Sequence, residues 1–487
     1  MIPVLTRAAS RAYDRYLIDE RGIASSTLID RAARGALDRI LQWLTQGYRQ
    51  VTIFAGSGNN GADGRALARL LEGYVEIQVY SPEDAPTIDQ TDASHTIVVD
   101  ALLGTGSKLP LREDLIRAVQ IINDLKMRGA RVLAIDIPTG LDADTGEHDA
   151  VVHADATLTM AAVKPGLFAN DASRYVGELT LVPLTDAAAD RPRSIMLLVE
   201  RSDVIAAYPA RNRIGSKFDL GHVLAVCGSR GMAGAAIMSA EAALRSGCGL
   251  VTVATAASER HIVAQAMPEL MTVGLDETST GAPTTSALQQ VQHLAERATV
   301  LVIGSGMKPE PETAVLLREI VRRIDKPIVA DAGALHAIST DASILDSRKA
   351  PTILTPHAGE LAQLCGIKRA VLEEDRSKYA LRFACDHGVI VVSKGAPTYT
   401  VLPEGSIVMN STGNVGLATA GSGDVLGGMI AGVFAQQPEK PAESSWLAVY
   451  LHGLAADIAR TKWSTIGMTA RDVTMSLGEA YRSLGLY

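Results

Sequence analysis

The stretch Gly405–Pro438 holds eight glycines and a single charged side chain, Asp424. Within it, Gly421-Ser-Gly423-Asp424 opens the helical run Val425–Phe434. Glycines at a helix start let a ligand approach the backbone closely, and the free N–H groups there attract an anion. A carboxylate beside such an anion hole is placed to take a hydroxyl proton while charge develops on a phosphoryl group. The simpler reading is an aspartate that caps its helix, but a cap needs no glycine on both sides of a serine. Two further strand-end loops belong with this one: Val391-Val-Ser-Lys394-Gly395-Ala396-Pro397-Thr398, and Leu354-Thr-Pro-His357-Ala-Gly-Glu360. A second glycine-rich loop, Gly56-Ser-Gly-Asn-Asn-Gly-Ala-Asp-Gly64, lies between the apolar run Val51–Ala55 and a helical pattern. It lacks the Gly-Lys-Ser/Thr ending of a phosphate loop and the G-x-G-x-x-G spacing of a dinucleotide site. Asn59, Asn60 and Asp63 add oxygen ligands and donors that a plain phosphate loop would not need. Asp100 (Val99-Asp100-Ala-Leu-Leu-Gly104-Thr-Gly106) and Asp136 (Ile135-Asp136-Ile-Pro138-Thr139-Gly140) each end an apolar run. Either carboxylate taken singly could cap a helix or brace a turn.

The elements that must position these residues form an α/β rhythm. Val51–Ala55, Val75–Tyr80, Thr96–Val99 and Val132–Ile137 read as strands, with a helix over Glu113–Arg128. Strand, helix, strand is the signature of a parallel sheet covered on both faces, whose ligands bind at the carboxyl ends of the strands. The rhythm fades after Pro183 and restarts at Val223–Val226. A small-residue helix over Gly234–Ser246 and strands at Leu250–Ala254, Val300–Ile303, Ile328–Ala330, Thr352–Leu354 and Val389–Val392 follow. The reading is α/β throughout, with two consecutive three-layer α/β/α domains, residues 1–207 and 208–487.

Composition removes several classes. Lysine and arginine number 46 against 54 aspartates and glutamates, a net charge of −8, and aromatics make up 4% of the 487 residues. An acidic chain with few stacking platforms is no primary nucleic-acid binder. No apolar run approaches the 18 residues of a membrane span. Cys227, Cys248, Cys365 and Cys385 lie far apart with no C-x-x-C pair, which suits free thiols in a reducing compartment. A cytoplasmic location is expected, and so is a homo-oligomer, with small-residue helices such as Gly234–Ser246 available to pack across subunits.

N-N-G-x-D-G, V-D-A-x-x-G-T-G and I-D-I-P-[ST]-G-L-D, in that order over Met1–Pro183, resemble the N-terminal epimerase domain of the NAD(P)H-hydrate repair family. The resemblance implies a Rossmann-like domain that interconverts the R and S forms at C6 of the hydrated nicotinamide ring. It puts the hydrate on Asn59, Asn60, Gly61, Ala62 and Asp63, on Gly104, Thr105, Gly106, Ser107, Lys108, Leu109 and Pro110, and on Asp136. It implies a potassium ion on Asn60, Asp100 and Thr139; hard oxygen ligands of this kind suit such an ion. The chemistry needs an acid or base at a carbon bearing both ring nitrogen and hydroxyl. Asp136 is the candidate proton carrier and Lys164 a second. Ala62 stands where the family has glycine, and Leu28-Ile-Asp30-Arg31-Ala where it has Leu-Met-Glu-Asn-Ala.

From Tyr208 onward, Gly-Ser-Gly-Asp424, Thr-Pro-His-x-Gly-Glu and Gly228-Ser-Arg-Gly-Met-Ala-Gly234-Ala235 are similar to the NAD(P)H-hydrate dehydratase branch of the ribokinase-like superfamily. This implies conversion of the S hydrate, NADHX or NADPHX, to NAD(P)H at the expense of ADP with Mg²⁺, giving AMP and phosphate. It puts the hydrate on Ala235, Gly306, His357 and Asp424, and the nucleotide on Lys394, Gly395, Ala396, Pro397, Thr398 and Gly423. Asp424 is the expected catalytic base. Ser216-Lys217 departs from a family His-Lys pair. Two other readings stay open on sequence: a small-molecule kinase, because vitamin-precursor kinases share the Gly-Ser-Gly-Asp loop, and a catalytically silent N-terminal binding module.

Overall fold

The structure, a computed structural model, describes residues 1–84, 93–169, 171–211 and 214–486. The chain divides into two compact units, Ile2–Met196 and Leu197–Tyr487. The division falls before the Ala207/Tyr208 boundary expected from sequence. Strand Met196–Leu198 joins the second unit's sheet, and Val199 N–H continues the ladder to Met409 O at 3.1 Å. Helix Arg201–Ala207 follows at once, its entry fixed by Glu200 N–H donating to Asp203 Oδ2 at 2.8 Å. A strand of three residues is too short for its period-two pattern to show in the sequence.

In the first unit the strands are parallel, in the spatial order Glu76–Tyr80, Gln50–Ala55, Thr96–Ala101, Arg131–Ile135, Ala156–Met160, Glu178–Val182. The first strand in chain order lies between the second and third. The strand order therefore reverses between Gln50–Ala55 and Thr96–Ala101, where the loops leaving the two strands diverge and open a crevice. Helices Ser25–Leu44 and Asn59–Leu71 cover one face through Leu28, Ala36, Ile40, Leu67 and Leu71. Helix Glu113–Met127 covers the other through Leu115, Val119, Ile122 and Leu125. Burial on both faces explains the continuous apolar runs of the central strands. The last two strands went unread in the sequence because Ala156–Met160 and Glu178–Val182 carry Thr157, Thr159 and Thr180 among their apolar residues.

The second unit's sheet runs, in spatial order, Met196–Leu198, Ile407–Met409, Tyr399–Val401, Ile390–Ser393, Thr352–Leu354, Ile328–Ala330, Val300–Ile303, His222–Val226, Leu250–Ala256, Met271–Leu275. Neighbours from Ile390–Ser393 to Met271–Leu275 are parallel, whereas Tyr399–Val401 is antiparallel to both of its neighbours in Ile390–Ser393 and Ile407–Met409. Chain order reverses between His222–Val226 and Val300–Ile303, so Gly228–Gly234 and Gly304–Gly306 leave the sheet side by side. Helix Ser422–Gln436 is buried along nearly its whole length and packs on helix Ala233–Arg245. A Cβ on Gly428 would lie 2.0 Å from Ser239 O, and one on Gly432 2.4 Å from Ala243 O. The small residues of Ala233–Arg245 thus serve close packing within the unit, which removes the sequence argument that they pack across subunits.

Gly428→Val is expected to destabilise the second unit by about 1–3 kcal/mol through overpacking. Gly478→Ala is its control: a Cβ there meets only Arg482 Nη1 at 3.8 Å, inside helix Ala470–Leu484, and should be neutral or slightly stabilising. Urea midpoints of the two variants check this; equal midpoints would contradict the close approach of the helices.

Candidate active sites

In the first unit a cavity of 870 Å³ opens at the reversal of strand order. Its wall includes Asn59, Asn60 and Asp63 from the helix after Gln50–Ala55, Gly104, Thr105 and Gly106 from the loop after Thr96–Ala101, and Asp136. Asp136 follows strand Arg131–Ile135 with φ 68°, a left-handed conformation costly for a residue with a side chain. That turn aims the carboxylate. Its Oδ2 accepts Thr105 N–H at 3.0 Å, and its Oδ1 lies 2.5 Å from Lys164 Nζ. Lys164 is only 2% exposed, and it also donates to Thr159 Oγ1 at 3.0 Å and Met160 O at 2.9 Å. A cation so enclosed needs those partners. Two more carboxylates line the cavity. Asp63 is pushed up to about 8, by burial first and then by Asp136 and Asp14. Asp14, on helix Arg7–Arg15, is raised by burial and by Asp136, with Lys164 opposing. The cavity thus holds one lysine-bound carboxylate beside a carboxyl that stays protonated at neutral pH.

The rest of the expected set lies elsewhere. A Cβ on Gly61 would meet Gly56 O at 1.7 Å, so Gly61 packs into its own turn, and Ala62 is not among the cavity-lining residues. Ser107 is buried, and Lys108 lies next to it in chain and is exposed. Leu109 and Pro110 line a separate 530 Å³ cavity with Gly146–Asp149 and Asp171. Asp100 is fully buried, with Thr139 N–H and Thr139 Oγ1 each donating to it at 2.7 Å and Leu102 N–H at 3.2 Å. Burial raises it to about 6 against those hydrogen bonds. Asn60 is buried with neither amide atom hydrogen-bonded. Arg11, Asp14 and Met160 were missed in the sequence. Asp14 sits three residues after Arg11 on one short helix, a spacing that looks like an ordinary solvated face. Arg31, in the segment that departs from the family, turns away to Leu184 O and toward Asp186 at 3.7 Å.

The second unit builds its site on four strand ends. Asp331 follows Ile328–Ala330, is 2% exposed, and accepts at Oδ1 from Thr355 Oγ1 at 2.7 Å and Lys394 Nζ at 2.9 Å. Lys394 ends strand Ile390–Ser393, and Glu360 Oε2 lies 3.9 Å from its Nζ. Burial works against the Lys394 charge, but Asp331, Glu360 and Asp424 outweigh it and raise its pKa. Gly421, with φ 85°, turns the chain into helix Ser422–Gln436. A Cβ on Gly423 would stand 3.2 Å from Lys394 Nζ, so the bare backbone at 423 and the ammonium share one space. Asp424 lies in the first turn and is pushed up to about 6, by burial first and then by Asp331, with Lys394 opposing.

His357 caps helix Ala358–Leu364: its Nδ1 accepts Gly359 N–H at 3.0 Å and Glu360 N–H at 3.2 Å. Nε2 therefore carries the proton of the neutral ring, beside Glu360 Oε1 at 3.6 Å. Gly306 touches the helix that carries Ala235, since a Cβ on it would meet Ala235 Cβ at 2.7 Å. The Lys394–Pro397 turn is held by Arg376, whose Nη1 donates to Ser393 O at 2.9 Å and Lys394 O at 2.8 Å and whose Nη2 donates to Pro397 O. Thr398 Oγ1 closes the turn onto Gly395 O at 3.0 Å. Ala396 has no side-chain role beyond the turn that these bonds fix. Arg376 and Asp331 went unread: Arg376 reaches the loop from helix Arg376–His387, and Asp331 meets Lys394 only across 63 residues of chain.

The comparisons with known proteins fall on the same two units. A model described as NAD(P)H-hydrate dehydratase matches residues 223–478, and one described as YjeF-related protein N-terminus matches 25–93 and 75–166. The bifunctional NAD(P)H-hydrate repair enzyme of Moorella thermoacetica is 35% identical over 99% of this chain and 97% of its own. The chain belongs to the bifunctional NAD(P)H-hydrate repair enzyme family. The Escherichia coli enzyme of that name is 30% identical over 96% of this chain and 92% of its own. A solved structure of the Bacillus subtilis ADP/ATP-dependent NAD(P)H-hydrate dehydratase, co-crystallised with ATP and Mg²⁺, aligns with a TM-score of 0.51 and 27% identity. It covers 58% of this chain and 97% of that one. As in the family pattern, the Gly-Ser-Gly-Asp turn and the Asn59–Asp63 loop sit on different units.

Asp63→Asn tests the electrostatics of the first site. The folded pKa, about 8, lies above the unfolded value of about 4, so the native state holds its proton more tightly. Wild type should lose stability against the variant as pH rises from about 4 through about 8. The variant should be more stable at pH 9 by on the order of a few kcal/mol, with no difference at pH 4. Thermal unfolding at the two pH values measures it; a pH-independent difference would contradict the assignment.

Proposed function

We propose that the first unit interconverts R- and S-NAD(P)HX and that the second dehydrates the S form to NAD(P)H at the expense of ADP. The observation that carries this is the pairing, on one chain, of a strained Asp136 bound to a buried lysine with an Asp424 in the first turn of a helix that opens on Gly421-Ser-Gly423. Relatives that match nearly the full length are named bifunctional NAD(P)H-hydrate repair enzymes. This favours repair over a small-molecule kinase with a silent N-terminal module.

At the first site Asp136, bound to Lys164, takes a proton from the water that returns to C6. Asp63, protonated at neutral pH, supplies one to the departing group. Loss and return of water at a carbon bonded to nitrogen scrambles its configuration. Gly104–Gly106 form one wall, and Asn59, Asn60 and Asp63 another. Potassium belongs to this reading: the unpartnered amide of Asn60, the buried Asp100 and the Thr139 hydroxyl form an oxygen-rich set that fits a hard monovalent cation. Bound there, it would supply fixed positive charge under the crevice and favour ionised Asp100.

At the second site Asp424 takes the C6 hydroxyl proton, and the oxygen attacks the terminal phosphoryl group of Mg²⁺-bound ADP. The bond to the bridging oxygen breaks and AMP leaves. The ring nitrogen then expels phosphate from C6, and loss of a C5 proton restores the dihydropyridine. Lys394 and the N–H groups at Gly421–Gly423 face the charge that develops on the phosphoryl oxygens. Lys394–Thr398 hold the nucleotide, while Ala235, Gly306 and His357 line the hydrate side.

We place the protein in the cytoplasm as a homo-oligomer. The free cysteines and the absence, among the described residues, of a helix able to cross a membrane agree with the first. Exposed Trp463 and Ile466 agree with the second.

The reading predicts separable defects. Asp424→Asn should lower nucleotide-dependent NADH recovery by about 10²–10⁴-fold while the epimers still interconvert; Asp136→Asn should do the reverse. Chromatographic separation of the epimers, with NADH absorbance, follows both. In wild type, dehydration should fall away below about pH 6 as Asp424 gains its proton. A variant pair that lost both activities together would contradict the division of labour.

A further inference from the structure

Asp331 belongs to none of the motifs, yet it is the residue on which the charges of the second site converge. Its backbone is over-determined: Ala332 takes φ 45°, and the chain packs so tightly that a Cβ on Gly304 would lie 2.1 Å from Asp331 O. Its side chain is 2% exposed, and its Oδ1 takes both Thr355 Oγ1 and Lys394 Nζ. Gly423 comes within reach of the same pair, since a Cβ there would stand 3.2 Å from Lys394 Nζ and 3.8 Å from Asp331 Oδ2. The ammonium thus rests on Asp331, with Glu360 at 3.9 Å, instead of on Asp424 one residue beyond Gly423.

That choice of partner matters chemically. A lysine paired with Asp424 would stabilise its carboxylate and make it a poorer proton acceptor. A lysine paired with Asp331 keeps its charge for phosphoryl oxygens. We propose that Asp331 is a positioning residue of the dehydration site: it anchors Lys394 on the phosphoryl side and leaves Asp424 free to accept the hydroxyl proton. The inference rests on the dehydratase reading above.

The groups around Asp424 and Lys394 set the sign of the test. Asp331 comes from the end of Ile328–Ala330, Lys394 from Ile390–Ser393, Glu360 from Ala358–Leu364, Cys227 from His222–Val226, and His452 from helix Pro441–Gly467. Burial pushes the Cys227 thiol far up, and His452 is held down at about 4 by burial and by Lys394; neither changes charge between pH 5 and 8. Removing the Asp331 charge takes a negative neighbour from Asp424 and also frees Lys394 to approach it. Both changes lower the Asp424 pKa.

The test measures kcat/KM for S-NADHX with Mg·ADP between pH 5 and 8 on the full chain, for wild type, Asp331→Asn and Asp331→Glu. Wild type should show an acidic limb near pH 6. Asp331→Asn should move that limb down by about one pH unit, and Asp331→Glu should return it. A folded Asp331→Asn protein with an unmoved limb overturns the proposal. Should that variant fail to fold, carboxyl ¹³C titration of wild type, with Asp424 identified by its absence in Asp424→Asn, gives the answer. A midpoint near 6 supports the arrangement, and an ordinary value of about 4 overturns it. Wild type that recovers no NADH would sink the dehydratase reading itself, and the ¹³C titration, compared between wild type and Asp331→Asn, would still decide the role of Asp331.

Discussion

A lysine drawn out of bulk water and held by a carboxylate at the end of a parallel strand is the constraint on which each unit depends. Lys164 rests on Asp136 in the first and Lys394 on Asp331 in the second. Taking an ammonium out of water costs several kcal/mol unless a carboxylate and further acceptors receive it. Lys164 has Thr159 and Met160 as well, and Lys394 has Glu360 nearby. The backbone bends to make these contacts possible. Four non-glycine residues among those described take a positive φ: Asp136, Ala161, Ala332 and Ser464. The first three lie in the turns that present the two pairs, so the local strain coincides with the charged contacts.

The two pairs do different chemical work because their carboxylates stand in different places. In the first unit the lysine-bound carboxylate itself faces the cavity, and the neighbouring Asp63 keeps its proton. A lysine-bound carboxylate and a carboxyl raised by burial face one another across one crevice, the layout of a base and an acid. In the second unit the lysine-bound Asp331 is buried, and a separate carboxylate, Asp424, stands in the first turn of helix Ser422–Gln436, where the proposed reaction puts the hydroxyl. Phosphoryl transfer needs a free base and an undiminished cation together, and splitting the roles between two aspartates provides both. Where each arrangement sits follows from topology: chain order reverses inside each sheet, beside Gln50–Ala55 in the first and beside His222–Val226 in the second, and the loops diverge there.

Much of this was legible in the sequence because glycine and strand ends leave strong marks. The Gly421–Asp424 turn, the Asn59–Asp63 loop, Asp100, Asp136 and Lys394 all stand beside apolar runs, and the strands that carry them are buried on both faces. What the sequence concealed depends on distance in the chain. Arg376 supports the Lys394–Pro397 turn from a helix whose own pattern is ordinary, and Asp14 enters the cavity from a short polar helix. Asp331 ends its strand as Asp136 does, but only the fold brings it to Lys394, 63 residues further on. The strand Met196–Leu198 moved the division between units because three residues carry no periodicity. The small residues of Ala233–Arg245 read as a subunit contact and turn out to admit helix Ser422–Gln436.

The central claim is that one chain returns both epimers of a hydrated nicotinamide cofactor to the reduced form. Absorbance at 340 nm on a mixture of R- and S-NADHX, with Mg²⁺ and potassium present and ADP added last, tests it most directly. The account predicts no recovery before the nucleotide and full recovery of NADH from both epimers after it. Recovery that stops at the S fraction would contradict the role given to the first unit, and no recovery at all would contradict the role given to the second.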